Sequence, residues 1–281
     1  MGALARALGM DVVHEDEGYG ASLVMTTGTD RIDEAITIAR RIGAPCVGMG
    51  DPGRRIEDLD LALPTPQFPL PNLTNVTRLD LAIDPHARSR TSKAPMWSAG
   101  MEKVGLLLVG GPAGPWGMNA GMILATVDEL RKECSHLVVM TSMRTPDSLR
   151  NALAARSSDH VIVDNIRGQP VRYVDALSAS AWAMVTGDSV SMISECIQAG
   201  LPTGIVPLEA DTGAVEAYLS ERVNDPSLTM PGDLRLFWSS MSDAGPVRKP
   251  MRRKFRDPLV RAVNEIKRMM SSKQWRCEGL T

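Results

Sequence analysis

The run Val104–Val109 (VGLLLV) is the strongest constraint on how this chain folds, because no position in it is polar. A strand with one face in water alternates apolar and polar residues. A continuous apolar run needs cover on both faces, as in a parallel sheet between helix layers. Shorter β-rich runs recur along the chain and predict strands at 12–14, 22–26, 45–49, 59–63, 105–109, 136–141, 160–163, 182–186 and 203–206. Segments of helical character separate them, at 31–41, 118–133, 146–155, 171–180, 190–199 and 212–222. Strand and helix in alternation is the pattern of an α/β fold.

The stretch 84–102 is rich in serine, proline and charge and divides the chain. Residues 1–96 are expected to form an N-terminal α/β domain and residues 97–250 a second one. Near the C-terminus Leu259, Val263, Ile266 and Met270 fall on one face of a final amphipathic helix. Residues 251–281 are therefore expected to pack back on the first domain. The opening MGALARALG reads as a helix closed by Gly9, ahead of the strand at 12–14. An α/β domain normally opens with a strand, so the first domain is expected to lack its initial one.

Of the 281 residues, 43% are hydrophobic and 23% charged, enough for a packed core and unlike a disordered or fibrous chain. Aromatic residues make up only 4% while methionines number 17. The core is then aliphatic and methionine-filled. Aromatic platforms for stacking bases are scarce, so no nucleic-acid partner is expected. No apolar run approaches the ~20 residues of a membrane helix, and no basic-then-apolar leader opens the sequence. Cys46, Cys134, Cys196 and Cys277 are dispersed without CxxC spacing, which fits reduced thiols and a cytoplasmic location. Between Arg248 and Arg276 eleven basic residues accompany two acidic ones. That segment carries +9, and the rest of a chain whose overall charge is −2 carries −11. It either closes over the acidic body or approaches an anionic lipid surface, helped by Phe255 and Leu259.

Three strand-to-helix loops could carry chemistry. In TGDSVSMISECIQAGLP, Thr186–Pro202, Ser189 stands at the N-cap position of a helix, with N–H groups behind it at Ser191 and Met192. Those donors and the helix dipole make an anion site, and Glu195 could reach a ribose hydroxyl. The alternative is an ordinary capped crossover helix. In Val109-Gly-Gly-Pro-Ala-Gly-Pro-Trp116, Gly110 and Gly111 either admit a ligand against the backbone or make a tight turn. It is not a dinucleotide fingerprint, since Pro112 and Pro115 remove donors. In Thr141-Ser-Met-Arg-Thr-Pro146, Ser142, Arg144 and Thr145 suit a phosphate clamp, or else a capped helix with a surface arginine. Carboxyl ends of parallel strands face one side, so the three loops should line one crevice.

The succession strand–GGP–W, VVMTSMRTP and VTGDSVSMISECIQAGLP resembles the elongated-mitochondria family. Gly50-Asp51-Pro52, LDLAL and Asn75-Val76-Thr77 are similar to that family's first-domain motifs. The resemblance implies a GT-B fold, two doubly wound Rossmann-like domains facing a cleft, and a glycosyltransferase. It also implies that Gly110, Gly111, Ser142, Arg144, Thr145, Asp188, Ser189, Ser191, Met192 and Glu195 face a nucleotide-sugar donor. SECIQAGLP is similar to the helix by which other GT-B enzymes hold the donor's nucleotide. The chain departs from the family at Met143, where a second arginine is usual, and at Gln169-Pro170-Val171, which replaces Asn-Pro-Tyr. The glycine-rich polar stretch expected before the first helix is also absent.

An inverting transferase needs a general base beside the acceptor hydroxyl. Asp51, Asp84 and His86 on first-domain loops are the candidates, each alternatively a solvated loop residue. His14, His136 and His160 fall at strand edges and read as structural. Asp58-Leu59-Asp60 spells the DxD triplet by which other glycosyltransferases bind metal, but it leads into an apolar strand and reads as a strand lead-in. No metal and no cofactor beyond the donor substrate is expected. Arg144 and the helix start at Ser189 would stabilise the leaving diphosphate. The expected acceptor is a cell-envelope molecule, which is lipid-linked if Arg248–Arg276 approaches the inner membrane; pairing of that segment with the acidic body is the preferred reading. Two alternatives keep the same loops: a sugar-nucleotide epimerase, and a non-enzymatic nucleotide-sugar-binding or assembly protein.

Overall fold

The computed structural model describes residues 2–11, 20–28, 30–65, 68, 73–84, 95–112, 117–166, 169–206, 208 and 255–272. The strand expected at 12–14 with His14, the helix at 212–222, His86, Cys277, and the basic residues of 248–254 and 273–276 lie outside them. Described residues 2–84 and 255–272 form one compact unit and 95–208 a second.

The first unit comprises α1 (Gly2–Leu8), β1 (Val24–Thr27), α2 (Ile32–Ile42), β2 (Cys46–Met49), a 3-10 helix (Gly53–Asp58), β3 (Leu61–Leu63) and the C-terminal helix Pro258–Ser272. The strands are parallel in the order β1-β2-β3, with Val24 opposite Cys46 and Val47 opposite Leu61. Successive side chains of a strand point to opposite faces. Cys46 and Ala62 accordingly pack with Ile32, Ala35, Ile36 and Ala39 of α2. Val47, Leu61 and Leu63 pack with Leu4 and with Leu259, Ala262, Ile266 and Met269 of the C-terminal helix. The buried stripe of that helix is thus rotated slightly from the expected one, with Val263 and Met270 flanking it half-buried. Pro258 occupies the first helical position, and Asp257 accepts the N–H groups of Leu259 and Val260 at 2.9 and 3.2 Å. Arg261 pairs with Asp80 at 3.2 Å. Arg268 pairs with Glu265 on its own helix.

Ile266 is fully buried, so Ile266→Val should cost about 1 kcal/mol through the lost methylene and the gap it leaves. Chemical denaturation reads this directly; no loss would show that the helix is not docked on the sheet. Cys46 is buried in the same unit. Burial first, and the Asp60 carboxylate second, push its thiol up to about 11, so it is an inert core group at neutral pH.

The second unit carries β4 (Val104–Val109), α3 (Ala120–Leu130), β5 (His136–Thr141), α4 (Asp147–Ala154) and β6 (Val161–Val163). The short strands β7 (Asn165–Ile166) and β8 (Gln169–Pro170), then α5 (Tyr173–Ala179), β9 (Trp182–Thr186), α6 (Val190–Gln198) and β10 (Thr203–Val206), follow. Every position of β4 is buried, as the run VGLLLV requires. The five-stranded sheet is parallel in the order β10-β9-β4-β5-β6. The chain starts at β4, builds outward through β5 and β6, then returns to the other side with β9 and β10. The order therefore reverses between β4 and β9, the topological switch point at which open α/β sheets bind ligands.

Two differences from the sequence expectation have local causes. Helix α3 begins at Ala120, not 118, because the Asn119 side chain accepts the Met122 N–H at 3.1 Å and caps the helix there. The segment expected to open a helix at 171 instead follows an antiparallel pairing of β7 with β8, and the Val171 N–H donates to Asp164 O at 2.8 Å.

Candidate functional site at the carboxyl ends of three strands

The three motif loops leave β4, β9 and β5, which are adjacent, and hydrogen bonds join them. After β4, the Gly110 N–H donates to Thr186 Oγ1 at 2.8 Å and the Gly111 N–H to Asp188 Oδ2 at 3.0 Å. Neither position has room for a Cβ as the loops stand. A Cβ on Gly110 would overlap the Asp188 carboxylate, and one on Gly111 would overlap the Arg144 carbonyl. The closeness serves loop-to-loop contact within the protein.

After β5, the loop closes on itself. The Ser142 N–H donates to Val109 O at 3.0 Å and to Thr145 Oγ1 at 2.9 Å, and the Arg144 N–H donates to Ser142 Oγ at 3.2 Å. Thr145 is buried and its hydroxyl donates back to the carbonyls of Val109 and Gly110. By sequence Arg144 reads as part of a phosphate clamp or as a surface arginine. Instead its Nη2 donates to Asp188 Oδ2 at 2.9 Å and its Nη1 to Gly111 O at 3.2 Å. The guanidinium is 45% exposed, while the Asp188 side chain is 0% exposed. A fully buried carboxylate needs its charge compensated. Arg144 supplies that charge, and Thr186 Oγ1 donates to Asp188 Oδ1 at 2.7 Å.

Ser189 follows at the N-cap of α6 and is buried, but its hydroxyl makes no cap bond to the helix. Its backbone, at φ −114° and ψ 83°, is not that of the capped crossover helix considered from the sequence. First-turn N–H groups have no intrahelical partner, and with no side-chain cap those near Ser191 and Met192 remain able to meet an anion. Ser191 is exposed, and Met192 and Glu195 are half-buried along the same helix. Ser189→Ala should therefore change stability by less than about 0.5 kcal/mol, well below the ~1 kcal/mol of a working N-cap. A thermal melt matching the wild type is the expected result; a loss of a full cap's worth would show that the hydroxyl does cap the helix.

Of the expected base candidates, the described ones, Asp51 and Asp84, belong to the first unit. Asp51 and Asp84 are buried rather than solvated. Asp51 Oδ1 accepts the Gly53 N–H at 2.9 Å, which turns the carboxylate back onto the start of the 3-10 helix. Asp58 pairs with Arg40 and Arg55, and Asp60 accepts the Cys46 N–H at 2.9 Å, so both carboxylates of the DxD triplet serve the local fold. His136 and His160 neighbour each other at the amino-end side of β5 and β6, with ring centroids 5.5 Å apart.

The sequence reading missed Thr186. A threonine ending an apolar strand looks like any β-former, yet its hydroxyl accepts from Gly110 and donates to Asp188. Its one sequence signal was a hydroxyl immediately before Gly-Asp-Ser.

Known structures share this architecture. A UDP-GlcNAc 2-epimerase from Neisseria meningitidis, bound to UDP-GlcNAc, matches with a TM-score of 0.52 at 12% identity, over 96% of this chain and 80% of that one. A Listeria monocytogenes protein provisionally assigned as a UDP-N-acetylglucosamine 2-epimerase matches with a TM-score of 0.52 at 11% identity, over 100% and 81%. MurG of Acinetobacter baumannii aligns at a TM-score of 0.43 and 13% identity, over 95% and 76%. The fold is accordingly that of GT-B enzymes, α/β with parallel sheets. A comparison with curated proteins finds no match. Residues 4–225 match the sequence profile described as Mitochondrial fission ELM1, and the chain belongs to that family.

Proposed function

We propose that the chain is a glycosyltransferase that moves a sugar from a nucleoside-diphosphate sugar to a cell-envelope acceptor, with the donor held by the second unit. One observation carries this reading. The β4 and β9 loops meet at the switch point of the sheet, and α6 begins there without a side-chain cap. Backbone N–H groups at a helix start suit a diphosphate, Ser189 and Ser191 supply hydroxyls there, and Ser142 contributes from the β5 loop in this reading. The pair Arg144–Asp188 is neutral as a unit, so in this reading the dipole and N–H groups carry most of the anion binding. In this reading Glu195, along the same helix, accepts from a ribose hydroxyl. On departure of the diphosphate, the same donors stabilise the charge that develops on the leaving oxygen. Asp51 and Asp84 are the base candidates of the first unit within this proposal.

Calorimetry with UDP, GDP, ADP and CMP tests the donor site, with UDP first because the Neisseria neighbour holds UDP-GlcNAc. Binding of one nucleotide, weakened by Ser189→Ala, is the expected result. Binding of none would overturn the assignment. Product analysis with the matching nucleotide sugar then separates transfer from epimerisation, since only transfer needs an acceptor.

The acceptor is proposed to be lipid-linked. Phe255 and Val260 are exposed at the start of the C-terminal helix, and the basic run Arg252-Arg253-Lys254 precedes them in the sequence. Among the described residues no helix is long and apolar enough to cross a membrane. Attraction to anionic lipid is worth ~1 kcal/mol per basic residue and fades within a Debye length. Salt-sensitive co-sedimentation with phosphatidylglycerol vesicles, abolished by Arg252/Arg253/Lys254→Glu, is expected; salt-insensitive or absent binding would count against a lipid-borne acceptor.

A further inference from the structure

We infer that Thr141, Arg150 and Asp164 form a positioning triad that sets the shape of the Ser142–Thr145 loop and thereby the affinity of the proposed donor site. The inference rests on that donor-site reading and adds residues that do not themselves face the ligand in it. Thr141 ends β5. Its N–H donates to Asp164 Oδ1 at 2.7 Å and its hydroxyl to Asp164 Oδ2 at 2.7 Å. The same hydroxyl accepts from Arg150 Nη1 at 3.0 Å. Arg150 Nη2 then spans the loop, donating to Ser142 O at 3.0 Å and Thr145 O at 3.3 Å. One guanidinium therefore holds the loop's first and last carbonyls, and one carboxylate fixes the hydroxyl that orients the guanidinium.

The backbone at Asp164 supports a selected arrangement. Its φ is 52°, the left-handed region that non-glycine residues seldom adopt. Aspartate tolerates it better than most, and here the conformation aims both carboxylate oxygens at Thr141. The Asp164 N–H and C=O are also engaged, with Val139 O and the Val171 N–H at 2.9 and 2.8 Å, so the residue cannot relax freely. A charge-assisted network of this kind is stiffer than neutral loop bonds. It lies on the side of the loop remote from Asp188, whereas Arg144 fastens the near side. Arg144, Ser142 and Thr145 are thus held from two directions, and the proposed diphosphate contacts depend on both.

The test compares Thr141→Val, which keeps shape and removes the hydroxyl, with Thr141→Ser, which restores it, and with Arg150→Met. Two quantities are read in the full chain: the UDP dissociation constant by calorimetry, and amide hydrogen exchange at Arg144, Thr145 and Gly111 without ligand. Thr141→Val and Arg150→Met are expected to weaken UDP binding about tenfold and to speed exchange at those amides by a similar factor. Exchange in β4 should stay unchanged, and Thr141→Ser should recover most of the affinity. Folded variants that bind UDP as the wild type does, or no rescue by serine, would overturn the inference. If the wild type binds none of the four nucleotides, the donor reading fails on its own. Hydrogen exchange then decides the triad: unchanged loop exchange in Thr141→Val removes it, and faster exchange keeps it as a loop-positioning device.

Discussion

Gly111→Ala is expected to destabilise the second unit by about 3–5 kcal/mol and to abolish nucleotide binding in the proposed donor site. The new Cβ would overlap the backbone carbonyl of Arg144, which no rotamer change can move aside. The β4 and β5 loops would have to separate. Separation breaks the Gly111 N–H bond to Asp188 and the Arg144 Nη1 bond to Gly111 O. Overpacking costs ~1–3 kcal/mol and the bond lost at the buried Asp188 adds ~1.5–3 kcal/mol, while the half-exposed Arg144 regains water and adds little. Gly110→Ala meets only the Asp188 side chain and should cost less. Gly121→Ala is the control: it lies exposed in α3, its nearest neighbour would be Asn119 Oδ1 at 3.4 Å, and it should stabilise by ~0.5–1 kcal/mol. Urea denaturation of the three variants decides. A Gly111→Ala protein within 1 kcal/mol of wild type would mean that the loops do not approach as described.

Arg144→Ala should cost about 2 kcal/mol of stability. The sequence alone suggests a surface arginine whose loss matters only to ligand, but the structure makes it the counter-charge of a fully buried Asp188. Removing one partner of a buried pair typically costs 3–5 kcal/mol. Arg144 is almost half exposed, so water screens the pair and part of that penalty is absent. A double-mutant cycle isolates the coupling. In an Asp188→Asn background the buried charge is gone, and Arg144→Ala should cost about 1–2 kcal/mol less than in the wild type. Asp188→Asn keeps an oxygen for the Gly111 N–H, so it is expected to fold. Strict additivity of the two substitutions would show that the pair contributes nothing to holding the loops.

The elements of the second unit were largely legible because each signal was local. VGLLLV could only be a strand covered on both faces, and β5, β9 and β10 fall at the expected residues. Element ends were less legible where a side chain decided them, as Asn119 does for α3. The three site loops were legible through glycine, hydroxyl and charge placed after strands. Their internal chemistry was not. Ser189 occupies a cap position without capping, and Asp51 and Asp84 are buried although each reads as a solvated loop residue. Thr141, Arg150 and Asp164 are separated by 9 and 14 positions and joined by bonds that no spacing announces.

What the sequence determined by itself, among the described residues, was the main strands and helices of each unit and the fact that three loops leave strand carboxyl ends. Apolar periodicity acts over a few residues, and alternation of elements limits the topology to parallel α/β arrangements. What only the tertiary structure decided was who compensates whom. Strand order β10-β9-β4-β5-β6 brings Gly111, Arg144 and Asp188 together from positions far apart in the chain. Once Asp188 is buried there, desolvation demands a cation, and Arg144 is the group within reach. A residue that looked like a ligand's clamp thereby became the loops' own, because the cost of burying a charge depends on the neighbours that the fold supplies.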